Sequence, residues 1–424
     1  MAGKYQAPRG TFDVLPAPYA KEPVFEAHRW HAAESSYRKV AGLFGYQEVR
    51  TPIFEDIELF LRSSGETSDV VSKEMYDFKD KGDRHVALRP EGTAPAMRAY
   101  IDSSMGGQGV VSRLCYFGPV FRYNRPQKGR YRQFHQAGYE LIGSPSPLAD
   151  AEIITATVRY FKEIGLDNLV VKVNSIGRAE TRGAYELAIL SHVDKWLDGQ
   201  DEEQQAKARK NPLRLLDTKD PDLRAELDGL PSILGFLGDD SKANFAALQE
   251  HLAESGVAYE VDDSIVRGLD YYTDTVFEVV STEYGALCGG GRYDGLVEQL
   301  GGPSTPSVGV GIGVERALLV ADMAGKAPRA EAPSRWYVVA ATESARAAAR
   351  TLAIELRSMG VGCTLDLDGR SVKAQFKQAD RNGASMTAVL GDDELANETV
   401  SVKDLVTGEQ KTLPRHVFLR IADD

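Results

Sequence analysis

The chain has 424 residues, 42% hydrophobic and 26% charged, with a formal net charge of −12, the composition of a soluble protein of two or three domains. It has no apolar run near the ~20 residues a membrane span needs, its first residues MAGKYQAPRGTFDVLP contain no apolar signal segment, and an acidic chain is not a simple nucleic-acid coat. Cys115, Cys288 and Cys363 lie far apart with no CxxC spacing, which argues against a disulfide framework and a zinc site and fits a reducing cytoplasm.

Residues 22–44 read as a helix, with Phe25, Trp30, Tyr37, Val40, Ala41 and Phe44 among its apolar positions and Gly45 as its stop. Gln47 to Glu55 is extended, and Pro52 argues for an edge position or a strand end. In LRPEGTAPAMRAY, Leu88 to Tyr100, an extended backbone puts Glu91 and Thr93 on one side, a carboxylate and a hydroxyl suited to an ammonium group. The same segment fits a helix starting at Thr93 with Pro95 in its first turn, and both readings can hold together.

Residues 110–123 and 133–142 read as an antiparallel pair of strands joined by a basic loop. Five cations fall in eleven residues there, Arg122, Arg125, Lys128, Arg130 and Arg132, without an acid. Arg122, at the strand end, is placed to grip a phosphate through two parallel hydrogen bonds. The other four suit a nucleic-acid backbone, or a solvated hairpin tip. On the second strand Phe134, Gln136, Gly138 and Glu140 share a face. An aromatic plane, an amide, a gap and a carboxylate are not what a core puts on a strand. Loop and face together suggest a site for a phosphorylated molecule and a small polar one. His135 falls on the opposite face and is expected to be structural.

The segment 195–230 is rich in Asp, Glu, Lys and Gln and reads as surface helices of an inserted module. Strand character returns from Ser264 to Val280. In VRGLDYYTDTVFE, Arg267 stands beside Gly268 ahead of Tyr271 and Tyr272; on spacing alone the tyrosines are packing residues and Asp270 pairs with Arg267. CGGGRYDGL, Cys288 to Leu296, permits close backbone approach or tight turning. It has no GxGxxG and the chain has no GxxxxGK[ST], which argues against Rossmann and P-loop sites. SVGVGIGVERALLVADM, Ser307 to Met323, is a strand-to-helix join. Its alternate glycines bare one face for a flat ligand, or for close helix packing with Glu315 and Arg316 in surface pairs.

KAPRAEAPS reads as a linker. Beyond it WYVVAAT, a helix through Arg357, CTLDLD, a helix from Ser371, MTAVLG and TVSVKDL alternate as in a separate small α/β domain. Arg370, Lys373, Lys377 and Arg381 recur at spacings of 3, 4 and 4, one cationic stripe on a helix whose Val372, Phe376 and Ala379 point to a core. The stripe is an RNA contact or a solvated face. No HExxH and no Ser–His–Asp or Cys–His arrangement stands out, so a site rich in arginine points to catalysis by positioning and charge stabilisation.

Together these segments resemble class II aminoacyl-tRNA synthetases, and within them the histidyl-tRNA synthetase family, over nearly the whole chain. GYQEVRTPIFE looks like motif 1, FRYNRPQKGRYRQFHQ like motif 2, and GVGIGVERALL like motif 3 with Arg316 as its arginine; LRPEGT, RGLDYY and GGRYDGL resemble the more specific histidyl signatures. The resemblance implies an α+β catalytic core with an antiparallel sheet over 1–180 and 260–326, an inserted helical module over 181–259, a linker at 327–333 and an α/β anticodon-binding domain over 334–424. It implies ATP-dependent ligation of L-histidine to tRNA(His) through histidyl-adenylate, releasing AMP and pyrophosphate, by a cytoplasmic homodimer. ATP is then a substrate arriving with Mg²⁺, and neither a tightly bound cofactor nor a protein metal site is expected.

By the same resemblance Arg122 and Arg267 hold the α-phosphate, Arg316 holds the γ-phosphate or the adenine, and Phe134 stacks on adenine. Glu91, Thr93 and Gln136 hold the substrate amino group. Glu140, Tyr271 and Tyr272 read the imidazole, with Tyr293 nearby. Arg125, Lys128 and Arg130, with Arg370, Lys373, Lys377 and Arg381, meet tRNA. One departure is that motif 2 commonly has glutamate two residues after its arginine, where this chain has Asn124. Regulatory subunits of ATP phosphoribosyltransferase are similar in the core but generally lack the C-terminal domain and the full RGLDYY. Threonyl and prolyl synthetases are not expected to carry RGLDYY and GGRYDGL together.

Overall fold

The computed structural model describes residues 5–64, 70–218, 220–265, 271–327 and 335–422. The chain divides into two compact units, residues 1–329 and 330–424. The linker expected at 327–333 lies outside the described residues except for Ala327.

The first unit is built on an eight-stranded sheet. Ser112–Phe121, Gln133–Ile142, Ser307–Gly313, Gly285–Arg292, Thr273–Ser281 and Leu169–Ser175 follow one another across it, each antiparallel to the next. The short edge strands, Gln47–Glu48 and Tyr259–Val261, run parallel to their neighbours. The expected antiparallel core is therefore present, in a sheet that is mixed at its margins. The period-2 alternation of a strand sorts its residues between two environments. Tyr139 and Leu141 enter a core with Tyr37, Ile153 and Leu318 from the helices Ala27–Leu43, Pro147–Glu163 and Val314–Met323. Gln136, Gly138 and Glu140 face the other way.

The first long helix starts later than residues 22–44 suggest. Pro23–Phe25 is a 3₁₀ turn, and the helix spans Ala27–Leu43. Leu15 explains the delay: its N–H donates to Phe25 O and its carbonyl accepts from Ala27 N–H, which holds Glu26 extended. Gly45, at φ +75°, ends the helix as expected. Pro52 falls between Gln47–Glu48 and Phe54–Asp56, and the latter joins a separate three-stranded sheet with Tyr76–Lys79 and His85–Leu88.

Across 195–230 the chain forms the short helices Asp194–Asp198, Glu202–Lys210 and Pro221–Glu226, between the longer Ala179–His192 and Asp239–Glu254. Val193, Leu197, Ala208 and Leu223 give this stretch a small core of its own.

In the second unit, Trp336–Ala340 lies between Cys363–Leu365 and Met386–Leu390, all parallel; Thr399–Asp404 and Gln410–Pro414 complete the sheet antiparallel. The helices Ala345–Ser358 and Val372–Arg381 connect the parallel strands. The last strand and the helix Arg415–Ile421 were not legible. QKTLP is an exposed edge with one apolar residue, and the helix is recognisable mainly by Phe418, packed edge-on against Trp336 at 5.0 Å.

One buried charge cluster ties the sheet to its helices. The Arg292 guanidinium donates to Ser144 O at 2.9 Å, Ser146 O at 3.1 Å and Asp294 at 3.0 Å, and pairs with Asp150. Both Arg292 and Asp150 are buried. Losing one partner strands the other charge. Arg292→Ala should therefore lower unfolding free energy by about 3–5 kcal/mol in denaturant titrations, and adding Asp150→Asn should recover part of that loss. An Arg292→Ala protein as stable as the wild type would show that the cluster carries no weight.

Candidate active site

A cavity of about 390 Å³ opens on the sheet face away from the helical core. It gathers Arg122, Phe134, Gln136 and Arg316 with Glu91 and Thr93, and with Tyr271 and Tyr272. Residues from four distant segments thus meet in one hollow, because the helix-covered face takes the apolar half of each strand and leaves the polar half here.

One wall begins at Glu91. Its two carboxylate oxygens accept from Thr93 N–H at 2.6 Å and Ala94 N–H at 2.8 Å, capping the helix Thr93–Asp102. The segment is the helix start expected, and Glu91 and Thr93 both line the cavity. Burial raises the Glu91 carboxyl above its ordinary value. Gln136 is held by Gly92 N–H, which donates to its Oε1 at 2.8 Å.

Behind this wall lies Glu140, fully buried. Thr93 Oγ1 donates to its Oε1 at 2.7 Å, and the Tyr293 hydroxyl donates to its Oε2. Neither Glu140 nor Tyr293 lines the cavity; the structure puts them one layer beneath Thr93 and the two tyrosines, with the Tyr271 ring tilted against Tyr272 at 4.6 Å and edge-on to Tyr293 at 5.5 Å. Desolvation pushes the Glu140 carboxyl from 4.5 up to about 8. The alternate glycines of Ser307–Gly313 make this possible. A Cβ at Gly309 would collide with the Glu140 carboxylate, and one at Gly311 with the Gln136 amide. The bare face serves the protein's own polar side chains as well as the cavity.

Next to Glu91, Arg122 donates from Nε to Pro90 O at 2.7 Å, and its guanidinium lies over the Phe134 ring at 5.5 Å. Arg316 donates to Tyr284 O at 2.7 Å. Burial lowers the pKa of both arginines, against the opposing charges of Glu74 and Glu91 at Arg122 and of Glu278 at Arg316. Fixed guanidiniums whose burial outweighs the neighbouring acids are suited to an incoming anion.

Several residues depart from their expected places. Arg130, expected with Arg125 and Lys128 to meet tRNA, lines the cavity, although all three are exposed. Asn124 also lines it. Glu315 is not in a surface pair. It is buried, and its Oε1 accepts from His135 N–H at 2.7 Å and lies 3.1 Å from His135 Nδ1. The structural role expected for His135 holds, with its ring edge-on to Trp30 at 4.7 Å. Glu278 lines the cavity and was missed. The signal existed: Phe277 and Val279 alternate around it and enter the helix-covered core. Arg267 lies outside the described residues. In the second unit Lys373, Lys377 and Arg381 are exposed on Val372–Arg381, while Arg370 precedes the helix and is tied to Asp368 at 2.7 Å. Val372, Phe376 and Ala379 do face a core.

An antiparallel sheet whose face bears a strand-end arginine, a stacked aromatic ring and a helix-borne arginine after a glycine strand defines the catalytic core of a class II aminoacyl-tRNA synthetase. Residues 24–317 match the Histidyl-tRNA synthetase family model, and residues 336–421 match the Anticodon binding domain model. Histidine–tRNA ligases of Picosynechococcus sp. and Clostridioides difficile are 46% and 44% identical over 96% of this chain, covering 94% and 96% of those proteins. The crystal structure of apo S. aureus histidyl-tRNA synthetase superposes with a TM-score of 0.82 at 35% identity, over 99% of this chain and 100% of that one. The chain belongs to the histidyl-tRNA synthetase family.

The raised pKa of Glu140 has a stability consequence of definite sign. Between 4.5 and about 8 the unfolded chain has released this proton while the folded protein retains it. Stability from this group is therefore full below 4.5 and falls as pH rises toward 8. Unfolding titrations of ligand-free wild type and Glu140→Gln should show the wild-type advantage shrinking through that window and level above it. A difference that stays flat would mean the carboxyl ionises equally in both states.

Proposed function

We propose how the residues around this cavity divide the work of charging tRNA(His) with histidine, the ATP-dependent activity that family membership gives the chain. The observation that carries the assignment is the convergence of Arg122 and Arg316 with Glu91, Thr93, Gln136 and the tyrosine pair in one hollow. Histidine occupies the side of Glu91 and Tyr271, and ATP the side of Phe134 and Arg316. The substrate's own carboxylate attacks the α-phosphorus in line, and pyrophosphate leaves. Negative charge grows on the equatorial oxygens, where fixed guanidiniums stabilise it most in the transition state. Arg122 and Arg267 serve the α-phosphate, and Arg316 the γ-phosphate or the adenine, against which Phe134 stacks. The terminal ribose hydroxyl of the tRNA then takes the histidyl group. No covalent enzyme intermediate is required.

Glu91, Thr93 and Gln136 hold the amino group. Glu140, through the layer formed by Tyr271, Tyr272 and Tyr293, selects the imidazole. An amino acid without ring nitrogens leaves these buried groups unpaired, a mismatch that supports rejection of roughly 10⁴-fold. Mg²⁺ enters bound to the ATP phosphates, where it neutralises charge on the leaving group. Among the described residues no cluster of three His, Cys, Asp or Glu is built to hold a metal of its own.

The division into core, inserted module over 181–259 and anticodon domain over 334–424, the homodimer and the cytoplasmic location belong to the same reading. Exposed Ile53 and Phe54, in the stretch resembling motif 1, support a second copy of the chain as a partner. Arg125, Lys128 and Arg130, with Arg370, Lys373, Lys377 and Arg381, meet tRNA. No described helix is long and apolar enough to cross a membrane.

Arg267→Ala should nearly abolish histidine-dependent pyrophosphate exchange while leaving the fold intact by circular dichroism; exchange near the wild-type rate would remove Arg267 from the chemistry. Deleting residues 334–424 should spare exchange and impair charging of tRNA(His). Undiminished charging by the truncated chain would rule out the anticodon role of that unit.

A further inference from the structure

We propose that Asp274 is a positioning residue for the histidine side of the cavity. It fixes the Tyr271–Tyr272 pair by fastening their strand to the helices on either side of residues 195–230. The inference rests on the reading that places histidine beside Tyr271, and adds the group that aims the pair.

The sheet does not hold the tyrosines by regular pairing. Gly291 stands opposite Val276, yet the next residue, Arg292, stands opposite Thr273. One step on that strand meets three on its neighbour, so Asp274 and Thr275 form a bulge just beyond Tyr272. A bulge bends its strand and re-aims the side chains beside it. Gly291 makes room for the result. A Cβ there would lie 2.4 Å from Thr275 O and 2.8 Å from the Tyr272 ring. The glycine run of CGGGRYDGL thus admits both the displaced backbone and a ring that lines the cavity.

Asp274 carries the bend. Its φ is +46°, a left-handed conformation that aspartate tolerates better than most side chains. Its N–H donates to Gly177 O at 2.9 Å, and its carbonyl accepts from Ile176 N–H at 2.8 Å. The side chain is equally committed and only 3% of the residue is exposed. Its Oδ1 accepts from Ser241 Oγ, and its Oδ2 from Arg178 Nε at 3.4 Å. Arg178 is the N-cap of Ala179–His192, and Ser241 lies in Asp239–Glu254. One buried carboxylate therefore joins both helices to the strand. Arg182, in the first turn of Ala179–His192, donates to Tyr272 O at 3.3 Å.

Packing alone does not call for a carboxylate here. A buried acid costs desolvation that an apolar side chain avoids, and left-handed backbone is costly for any residue with a Cβ. Both costs fall on the residue that stands between the tyrosines and the two helices. Such costs persist where the surrounding structure enforces them, and they collect at functional sites. Tyr271 and Tyr272 line the cavity on the side opposite Phe134 and Arg316 in the reading above. A shift of the pair is therefore felt by histidine and not by ATP.

The test measures pyrophosphate exchange by the full chain at varied histidine and at varied ATP. Asp274→Ala should raise the histidine KM by about tenfold or more and leave the ATP KM within about twofold, since small misplacements at a site are costly. Asp274→Asn keeps the shape, the tolerance of left-handed backbone and one acceptor for Ser241, and should recover most of the loss. Ser241→Ala should raise the histidine KM with the same selectivity. Added to Asp274→Ala it should cost nothing further, as expected of two residues joined in one contact; a cost that simply adds would break the link to the helices. If Asp274→Ala does not fold by circular dichroism, Ser241→Ala decides alone on the same criterion. Unchanged constants, or histidine and ATP constants rising together, would show that Asp274 does not aim the tyrosines. Tyr271→Ala separates this from failure of the wider reading. If it leaves the histidine KM at the wild-type value, the placing of histidine is wrong; if it raises that KM while Asp274→Ala and Ser241→Ala do not, the role of Asp274 alone falls.

Discussion

A carboxyl group held wholly out of water at Glu140 is the constraint around which the cavity is arranged. Burying such a group without donors is prohibitive, and the chain meets the demand from three directions. Thr93 supplies one hydroxyl and Tyr293 the other. Gly309 supplies the space, since any side chain there would occupy the carboxylate's volume. LRPEGT, GGRYDGL and GVGIGV, far apart in the chain, are therefore parts of one arrangement. Thr93 is itself fixed, because Glu91 caps the helix that begins with it. The hydroxyl that meets Glu140 and the carboxylate that faces the cavity are set by the same turn of backbone.

A second buried carboxylate organises the side of the cavity that bears Arg316. Glu315 sits between His135 of the sheet and Arg316 of the following helix, and His135 is braced by Trp30 from the first helix. The strand bearing Phe134 and Gln136 is thereby tied to the helix bearing Arg316. In a reaction that depends on positioning, small displacements of charged groups are expensive. Burial raises the Glu315 carboxyl, and the contact with His135 opposes that shift. The pair reads as a brace between elements, not as an acid–base couple.

Much of this was legible because strand alternation is strict. Phe134, Gln136 and Glu140 shared a face in the sequence, and they share one in the fold; His135 went to the other face as expected. What failed to show was depth. Alternation says which side of a sheet a residue faces, and it cannot say that Glu140 and Tyr293 lie beneath the cavity while Thr93 lies on it. Glu315 looked like half of a surface pair because its partner is 180 residues away in sequence. The helix start at Ala27 was displaced by pairing with Leu15, another long-range contact that propensity does not contain. Short exposed elements such as Gln410–Pro414 had no pattern to read at all.

The charge distribution resolves an apparent contradiction. A chain of net charge −12 has to bind ATP and tRNA, both anionic. At physiological salt the Debye length is about 8 Å, so separated surface acids contribute little at the bottom of a cavity. What governs there is the local set, and Arg122 and Arg316 converge there with burial lowering the pKa of both. Desolvated cations gain more from an arriving phosphate than exposed ones do.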